Sequence, residues 1–146
     1  MTIKHKVLFS YIKDLSVETP NPESLISARE NISKYSLKLD LTSEPLKNKM
    51  IEVHTKLIYE DKNKNKKNET RKKKTHFEMI YATVFSIEEE NIDPNQIKKF
   101  ILCDLQIQMY PQIEKAFVEI LRISGFPDLK LKGKIDFNKL YSQRLS

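Results

Sequence analysis

The side chains that could carry out chemistry are few in this sequence, and they lie far apart. Cys103 is the only cysteine, and the three histidines, His5, His54 and His76, show none of the spacings at which histidines bind a metal ion. Only two glycines are present, so the chain cannot build a glycine-rich loop around a phosphate group. These residues predict a protein that is not an enzyme and needs no cofactor or metal. Cys103 is expected to be a small core residue, with a nucleophile as the alternative.

The stretch DKNKNKKNETRKKK, residues 61–74, is the other candidate for chemistry, because its cations could bind phosphate groups. The chain carries 26 Lys and Arg against 20 Asp and Glu, a net charge of +6. Residues 62–74 hold eight of the cations and a single Glu, so the remainder is nearly neutral. A nucleic-acid-binding domain usually spreads its cations along a face and stacks bases on aromatic side chains, which this run lacks. We therefore expect a solvated loop and no nucleic-acid partner.

The length of 146 residues fits one domain, residues 1–146, with a single hydrophobic core. No apolar run reaches the roughly 18–20 residues of a membrane span, and the N-terminus lacks the apolar segment of a signal peptide. We therefore expect no direct membrane insertion. A chain with one cysteine forms no internal disulfide, which fits a reducing, cytoplasmic location.

The first half of the sequence alternates apolar and polar residues with the period of two that is typical of β-strands. In the first predicted strand, one face receives Val7, Phe9, Tyr11, Leu15 and Val17. The opposite face receives Ser10, Asp14, Ser16 and Glu18. Further strands are predicted over residues 35–42, 50–59 and 75–87. The basic run then lies at the tip of a hairpin between the third and fourth strands.

The second half changes to the period of a helix. Asp93 and Pro94 are typical of an N-cap and a first helical residue, and Gly125 is typical of the residue that follows a last turn. Between them, Pro111 predicts a kink or an interruption. A last short helix is predicted to begin near Asp136. Four strands followed by helices predict an α+β fold, in which helices pack on one face of a four-stranded antiparallel sheet.

The fourth strand is apolar on both faces, which is more than a small monomer usually exposes to water. We therefore expect an oligomer or a surface that accepts apolar polypeptide, with coverage by the chain's own loops as the alternative. The candidate interface residues are Phe77, Met79, Tyr81, Phe117 and Ile120.

Four stretches resemble, in order, the SecB family of bacterial protein-export chaperones. YIKDLSVETPNP, residues 11–22, is similar to the N-terminal Tyr-x-Lys-Asp-x-Ser-x-Glu-x-Pro signature of that family. VFSI, residues 84–87, resembles the end of its fourth strand. MYPQIEKAFVEILRISGFPDLKL, residues 109–131, resembles its long helix, and IDFNKLY, residues 135–141, its C-terminal helix. The family usually has Gly-Gly before VFSI, whereas this chain has Ala82 and Thr83.

The resemblance implies a dimer of dimers that acts as an ATP-independent holdase. Such a protein binds unfolded preproteins and delivers them to SecA, the motor of the translocase. In that family, acidic residues on the exposed sheet dock the zinc-binding tail of SecA. By motif match, these residues would be Asp14, Glu18 and Glu78.

A holdase needs apolar grooves, because apolar burial is non-directional and accepts many sequences. The candidate client-binding residues are Leu25, Ile26, Leu39, Leu41, Phe137, Leu140 and Tyr141, and core packing is the alternative for each of them. Three functions stay open at this point. They are a SecB-type export chaperone, a SecB-like chaperone dedicated to another client such as an antitoxin, and a nucleic-acid-binding module that uses the basic run.

Overall fold

The computed structural model describes residues 3–62, 75–131 and 135–145 of the chain. These residues form the strands β1 (His5–Glu18), β2 (Tyr35–Pro45), β3 (Met50–Asp61) and β4 (His76–Ile87). They also form the helices α1 (Pro22–Glu30), α2 (Pro94–Lys99), α3 (Leu105–Ile123) and α4 (Phe137–Leu145). Within the described part of the chain, no helix is both long enough and apolar enough to cross a membrane.

The four strands form one antiparallel sheet in the order β1-β4-β3-β2. Strands β3 and β4 pair directly, with Tyr59 opposite Phe77, so they form the two arms of the predicted hairpin. Residues 63–74, most of the basic run at its tip, lie outside the described residues. The sheet and its helices confirm the predicted α+β class and the predicted position of the helices on one face.

One face of the sheet packs against the helices and forms the core. The strands contribute Val53, Leu57, Tyr59, Phe77, Met79 and Phe85. The helices contribute Ala28, Phe100, Leu105, Ile113, Phe117, Leu121 and Phe137. We call the opposite face the open face; it carries the even-numbered residues of β3 and β4.

Strand β1 departs from strict alternation because its register with β4 shifts by one residue at Leu8 and again at Lys13. The residues of β1 on the helix face are Val7, Ser10, Ile12, Leu15 and Val17. The residues on the open face are Phe9, Tyr11, Asp14, Ser16 and Glu18. The prediction that Phe9 and Tyr11 share a face with Leu15 was wrong, because each extra residue of a β-bulge moves the following side chains to the other face.

Helices α2 and α3 are joined without a break by a π-helical segment, Phe100–Asp104. Of the kink or interruption predicted at Pro111, the interruption was wrong, because α3 continues from Leu105 to Ile123 through the proline. Pro111 is exposed, so water can bond the carbonyl group that the proline leaves without a backbone donor.

Helix α3 ends as predicted. Gly125 has a φ angle of +120°, a region that favours glycine. The amide of Phe126 then donates to the carbonyl oxygen of Leu121 at 3.1 Å, which is the hydrogen bond of a Schellman motif. The turn brings Phe126 onto Phe77 with the rings 5.5 Å apart, so the end of α3 is fixed to the sheet.

Two helices begin with the same local device. The Asp93 side chain accepts a hydrogen bond from the amide of Asn95 at 3.0 Å, which confirms the predicted N-cap. The Asn21 side chain accepts from the amide of Ser24 at 2.8 Å in the same way and starts α1. Helix α1 was not predicted from the sequence, because nine residues with little apolar periodicity give a weak helical signal.

Three of the predicted interface residues belong instead to the core of the single chain. Phe77, Met79 and Phe117 have no exposed surface and pack between the sheet and α3. A side chain that is already enclosed by its own chain has no area to offer a partner, so their assignment to an interface was wrong. Tyr81 and Ile120 are half-buried and pack against the same core.

Candidate functional site

An apolar groove of about 760 Å³ opens at the β2 edge of the helix face. Its main apolar residues are Ile32, Leu37, Leu39, Phe126, Leu129 and Leu131. The charged side chains at the groove are Arg29, Asp128 and Lys130.

The groove exists because β2 is an edge strand. Leu37 and Leu39 point to the helix face and are only half-buried there. The segment after α3 forms the facing wall, since the turn at Gly125 directs residues 126–131 along the edge. Because Phe126 is fixed to Phe77, this wall is held in place without a client. The groove is therefore preformed and apolar, as a binding site for extended polypeptide needs to be.

Of the seven candidate client-binding residues, Leu39 lines this groove. Leu41 is buried in strand β2, and Leu25 packs against the core from α1. Phe137 is buried against the ring of Tyr110, 5.3 Å away, at a separate cavity. For Leu41, Leu25 and Phe137, these surroundings fit the alternative of core packing.

The remaining candidates lie on helices outside the groove. Ile26 is 56% exposed on α1, and Leu140 and Tyr141 lie on α4. Sequence analysis missed the groove residues Leu129 and Leu131, although their alternation was visible after the turn. That signal identifies an extended segment, but it does not show which strand lies opposite.

The separate cavity lies between α3 and the start of α4 and has a volume of about 670 Å³. Its lining combines Ile107 and Val118 with the charged Glu114 and Arg122. The hydroxyl of Tyr110 is buried here and makes no hydrogen bond of ordinary geometry among the described residues; burial, followed by the nearby Glu114 carboxylate, raises its pKa above the ordinary value.

The three predicted docking carboxylates lie on the open face. Strands β1 and β4 are neighbours, and Ser16 is directly opposite Glu78. Asp14 and Glu18 lie two residues to either side of Ser16, so all three carboxylates point from the same face. The Lys56 ammonium lies 3.5 Å from Glu78, while Asp14 and Glu18 are exposed. The arrangement is an acidic row that a cationic partner could reach.

Next to this row lies an ion network centred on Glu52, which is only 8% exposed, whereas the side chain of its partner Lys13 is 41% exposed. Its Oε1 atom accepts from Lys13 Nζ at 2.7 Å, from His54 Nε2 at 2.6 Å and from the Tyr11 hydroxyl at 3.1 Å. The hydrogen bonds from Lys13 and His54 lower the pKa of Glu52 to about 2. The carboxylate is therefore charged at neutral pH, and its Oε1 atom accepts all three hydrogen bonds.

A second pair of contacts lies at the other end of the open face. The buried Glu60 carboxylate lies 3.1 Å from His76 Nδ1 and 3.6 Å from Lys38 Nζ. His76 is also directly opposite Glu18. Lys56 therefore borders the acidic row, in which Asp14 and Glu18 are the exposed carboxylates.

The model of the family described as "Preprotein translocase subunit SecB" matches residues 2–146. The chain belongs to the SecB family. The resemblance of the four sequence stretches is thereby confirmed. As a SecB protein, it is a chaperone with a role in protein export.

The relatives of this SecB chain are similar over nearly its whole length. It is 40% identical to the putative protein-export protein SecB of Pelagibacter ubique over 144 residues, covering 99% of each chain. It is 29% identical to the protein-export protein SecB of Anaplasma phagocytophilum, covering 100% of this chain and 96% of the relative. The protein of Parvibaculum lavamentivorans is 31% identical over 142 residues, covering 95% of this chain and 77% of the relative.

The fold is also similar to that of a solved structure, a Mycobacterium tuberculosis SecB-like chaperone in complex with a ChAD peptide from the HigA1 antitoxin. The TM-score is 0.61, with 89% of this chain and 90% of the other covered, at 11% sequence identity. The likeness supports the SecB fold. The groove and the acidic row are thus two separate surfaces on a SecB scaffold, one on each face of its sheet.

Proposed function

We propose that this SecB protein is an ATP-independent holdase that binds unfolded preproteins in the groove and delivers them to SecA. The observation that carries the proposal is the preformed apolar groove between Leu39 and Leu131. An unfolded client buries apolar side chains there at about 25 cal/mol per Å² without any requirement for one sequence. Because the groove excludes a folded protein, binding favours the unfolded state by mass action.

The acidic row is the proposed contact with SecA. Asp14, Glu18 and Glu78 lie on the opposite face of the sheet from the groove, so a client and SecA can be held at the same time. The zinc-binding tail of SecA is basic, and contacts between exposed charges steer encounter and weaken with added salt. SecA can then bind while the client is still in the groove, because the two partners do not compete for one surface.

Self-association completes the proposal. Edge strand β1 exposes apolar side chains on both faces, of which Phe9 is 56%, Ile12 45% and Leu15 43% exposed. Pairing of β1 with a second copy would cover them and remove the unpaired edge, and a dimer of dimers would carry several grooves. One long client that occupies several grooves gains affinity through effective concentration. A cytoplasmic location is part of the same proposal, since preproteins are unfolded there. Light scattering that shows a monomer at micromolar concentration would contradict the assembly.

An aggregation assay tests the holdase. An unfolded preprotein diluted from denaturant should stay in solution with the wild-type chain and without ATP. Leu39→Ser and Leu131→Ser should each weaken this protection about tenfold, because each removes one apolar contact. Ile26→Ser is the matched control, since Ile26 is apolar and exposed but lies on α1 outside the groove. Equal effects of all three changes would argue against the groove.

A second candidate is a SecB-like chaperone dedicated to one client. The observation in its favour is the solved structure of similar fold, in which a SecB-like chaperone is in complex with a peptide of an antitoxin. Copurification from the native cells separates the two functions. Many different preproteins support the general holdase, whereas one dominant polypeptide supports the dedicated chaperone.

A further inference from the structure

Lys13 is the extra residue of the second bulge in β1. Its side chain is partly exposed, lies across the neighbouring strand β4 and reaches Glu52 on β3. The distance from Lys13 Nζ to Glu52 Oε1 is 2.7 Å. Two strands that are not neighbours in the sheet are therefore joined by an ion pair.

This span is possible because β4 presents a small residue at the crossing point. Ala82 lies directly between Tyr11 on β1 and His54 on β3 in the register of the sheet. Its methyl group is completely covered although it faces the open side. The side chains of the network therefore lie over Ala82, and a larger residue there would occupy their space.

The bulge at Lys13 decides which way Asp14 points. Ile12 is opposite Tyr81 on the helix face, and Asp14 is opposite Ile80 on the open face. In a strand without the extra residue, Asp14 would be opposite Met79 instead. Met79 is fully buried in the core, so Asp14 and all following side chains would face the wrong way.

We propose that Lys13 and Glu52 are positioning residues that hold the bulge in β1 and thereby keep Asp14 and Glu18 in the acidic row. The ion pair fixes Lys13 on the open face directly beside Asp14. The adjacent bonds from Tyr11 and His54 to the same Glu52 oxygen hold the receiving carboxylate in place. The inference rests on the proposed docking of SecA, to which it adds the residues that orient the docking carboxylates.

The test compares two substitutions that remove the same charge from the same face. Lys56 also contacts a carboxylate of the open face, Glu78, but it is not part of a bulge. Because the partner is basic, removal of any cation from this face should strengthen binding if charge alone matters. We expect Lys56→Met to keep or raise the affinity for the SecA tail. We expect Lys13→Met to lower it by about three- to thirtyfold, the range for residues that act through others.

Cysteine crosslinking measures the register between β1 and β4 in the absence of SecA. Ser16→Cys with Glu78→Cys should form a disulfide in the bulged register, because directly opposite residues have Cα atoms within the range a disulfide spans. Addition of Lys13→Met should move the crosslink to the pair Leu15→Cys with Glu78→Cys. Lys13→Arg should restore both the original crosslink and the affinity, since it can still donate to Glu52.

The outcomes separate the two proposals. If the wild-type chain does not bind the SecA tail, the docking proposal fails, and the crosslinks still decide whether Lys13 sets the register. If Lys13→Met keeps the Ser16–Glu78 crosslink and binds as well as Lys56→Met, the positioning role is overturned. Glu52→Gln provides a second variant with an unchanged side-chain shape, and it should shift the crosslink as Lys13→Met does.

Discussion

The side chain of Leu25 fills the space next to Gly125 that any larger residue would need. A Cβ atom at Gly125 would lie 2.7 Å from Leu25 Cδ1 and 3.0 Å from Leu25 Cδ2. The φ angle of +120° favours glycine at this position, and a Cβ atom there would also force the Leu25 side chain to shift. The contact also packs α1 against the turn that directs residues 126–131 along the groove.

The first prediction is that Gly125→Ala destabilises the protein by about 2–4 kcal/mol, the sum of backbone strain and a steric overlap. The double variant with Leu25→Ala should lose less stability than the sum of the two single losses, because Leu25→Ala removes the overlap and leaves the strain. Denaturant unfolding of the single and double variants measures both contributions. Additive effects would show that Leu25 and Gly125 do not interact.

The second prediction uses two buried tyrosines. The Tyr110 hydroxyl has no hydrogen-bond partner among the described residues, whereas the Tyr35 hydroxyl is bonded to Thr75. Tyr110→Phe should leave the free energy of unfolding unchanged or raise it, because it removes a buried polar atom without a partner. Tyr35→Phe should lower it by about 1–3 kcal/mol, because Thr75 loses its bond. The reverse order in thermal unfolding would contradict the assignment.

The third prediction concerns acid. Glu52 has an ordinary pKa of 4.5 and a pKa of about 2 in the folded chain, so its contribution to stability is complete above pH 4.5. The contribution is lost as the pH falls from 4.5 to 2, because protonation then favours the unfolded chain. Glu52→Gln should therefore lose less stability than the wild type over this interval. Denaturant unfolding at several pH values measures the slopes, and Glu119→Gln, which removes an exposed carboxylate of α3, is the control. Equal slopes for Glu52→Gln and the wild type would contradict the network.

The fourth prediction concerns the acidic row. Replacement of Asp14, Glu18 and Glu78 by Ala should weaken binding of the SecA tail by about 1–3 kcal/mol and leave the aggregation assay unchanged. Titration calorimetry at low and high salt measures the effect.

The control for this experiment changes Glu30, Glu88 and Glu119 to Ala, three exposed carboxylates outside the row. It removes the same net charge, so it isolates the position of the charge from its amount. Equal weakening by the two triple variants would show that total charge, rather than this row, governs binding.

Sequence reasoning succeeded where the signal is local. Gly125 and Asp93 mark helix ends through their own backbone and side-chain chemistry, and the alternation of β2 is uninterrupted, so these features were predictable. Asp14 and Glu18 of the acidic row were also placed on one face of the first strand. That placement held because Asp14 and Glu18 both follow the bulge at Lys13.

The rest depended on partners that are distant in sequence. The sequence around Lys13 does not show that its side chain reaches Glu52. The bulge was therefore missed, and so was the face of the sheet on which Phe9 and Tyr11 lie. The surroundings of Met79 could not be predicted from the sequence for the same reason. An apolar face of a strand can pack against a helix of its own chain or against a second copy. Only the packing of α3 on the sheet decides between them.

The strand order has a consequence for how the protein is made. Strand β1 leaves the ribosome first, yet its partner β4 lies roughly sixty to eighty residues further along the chain. At about 5–20 residues per second, the nascent β1 waits several seconds for β4, while β2 and β3 can already pair locally. During that time the nascent chain presents an unpaired, extended segment with Leu8, Phe9, Ile12 and Leu15. Such a segment has the properties of a client, so finished copies of the chaperone would be able to protect the synthesis of new ones.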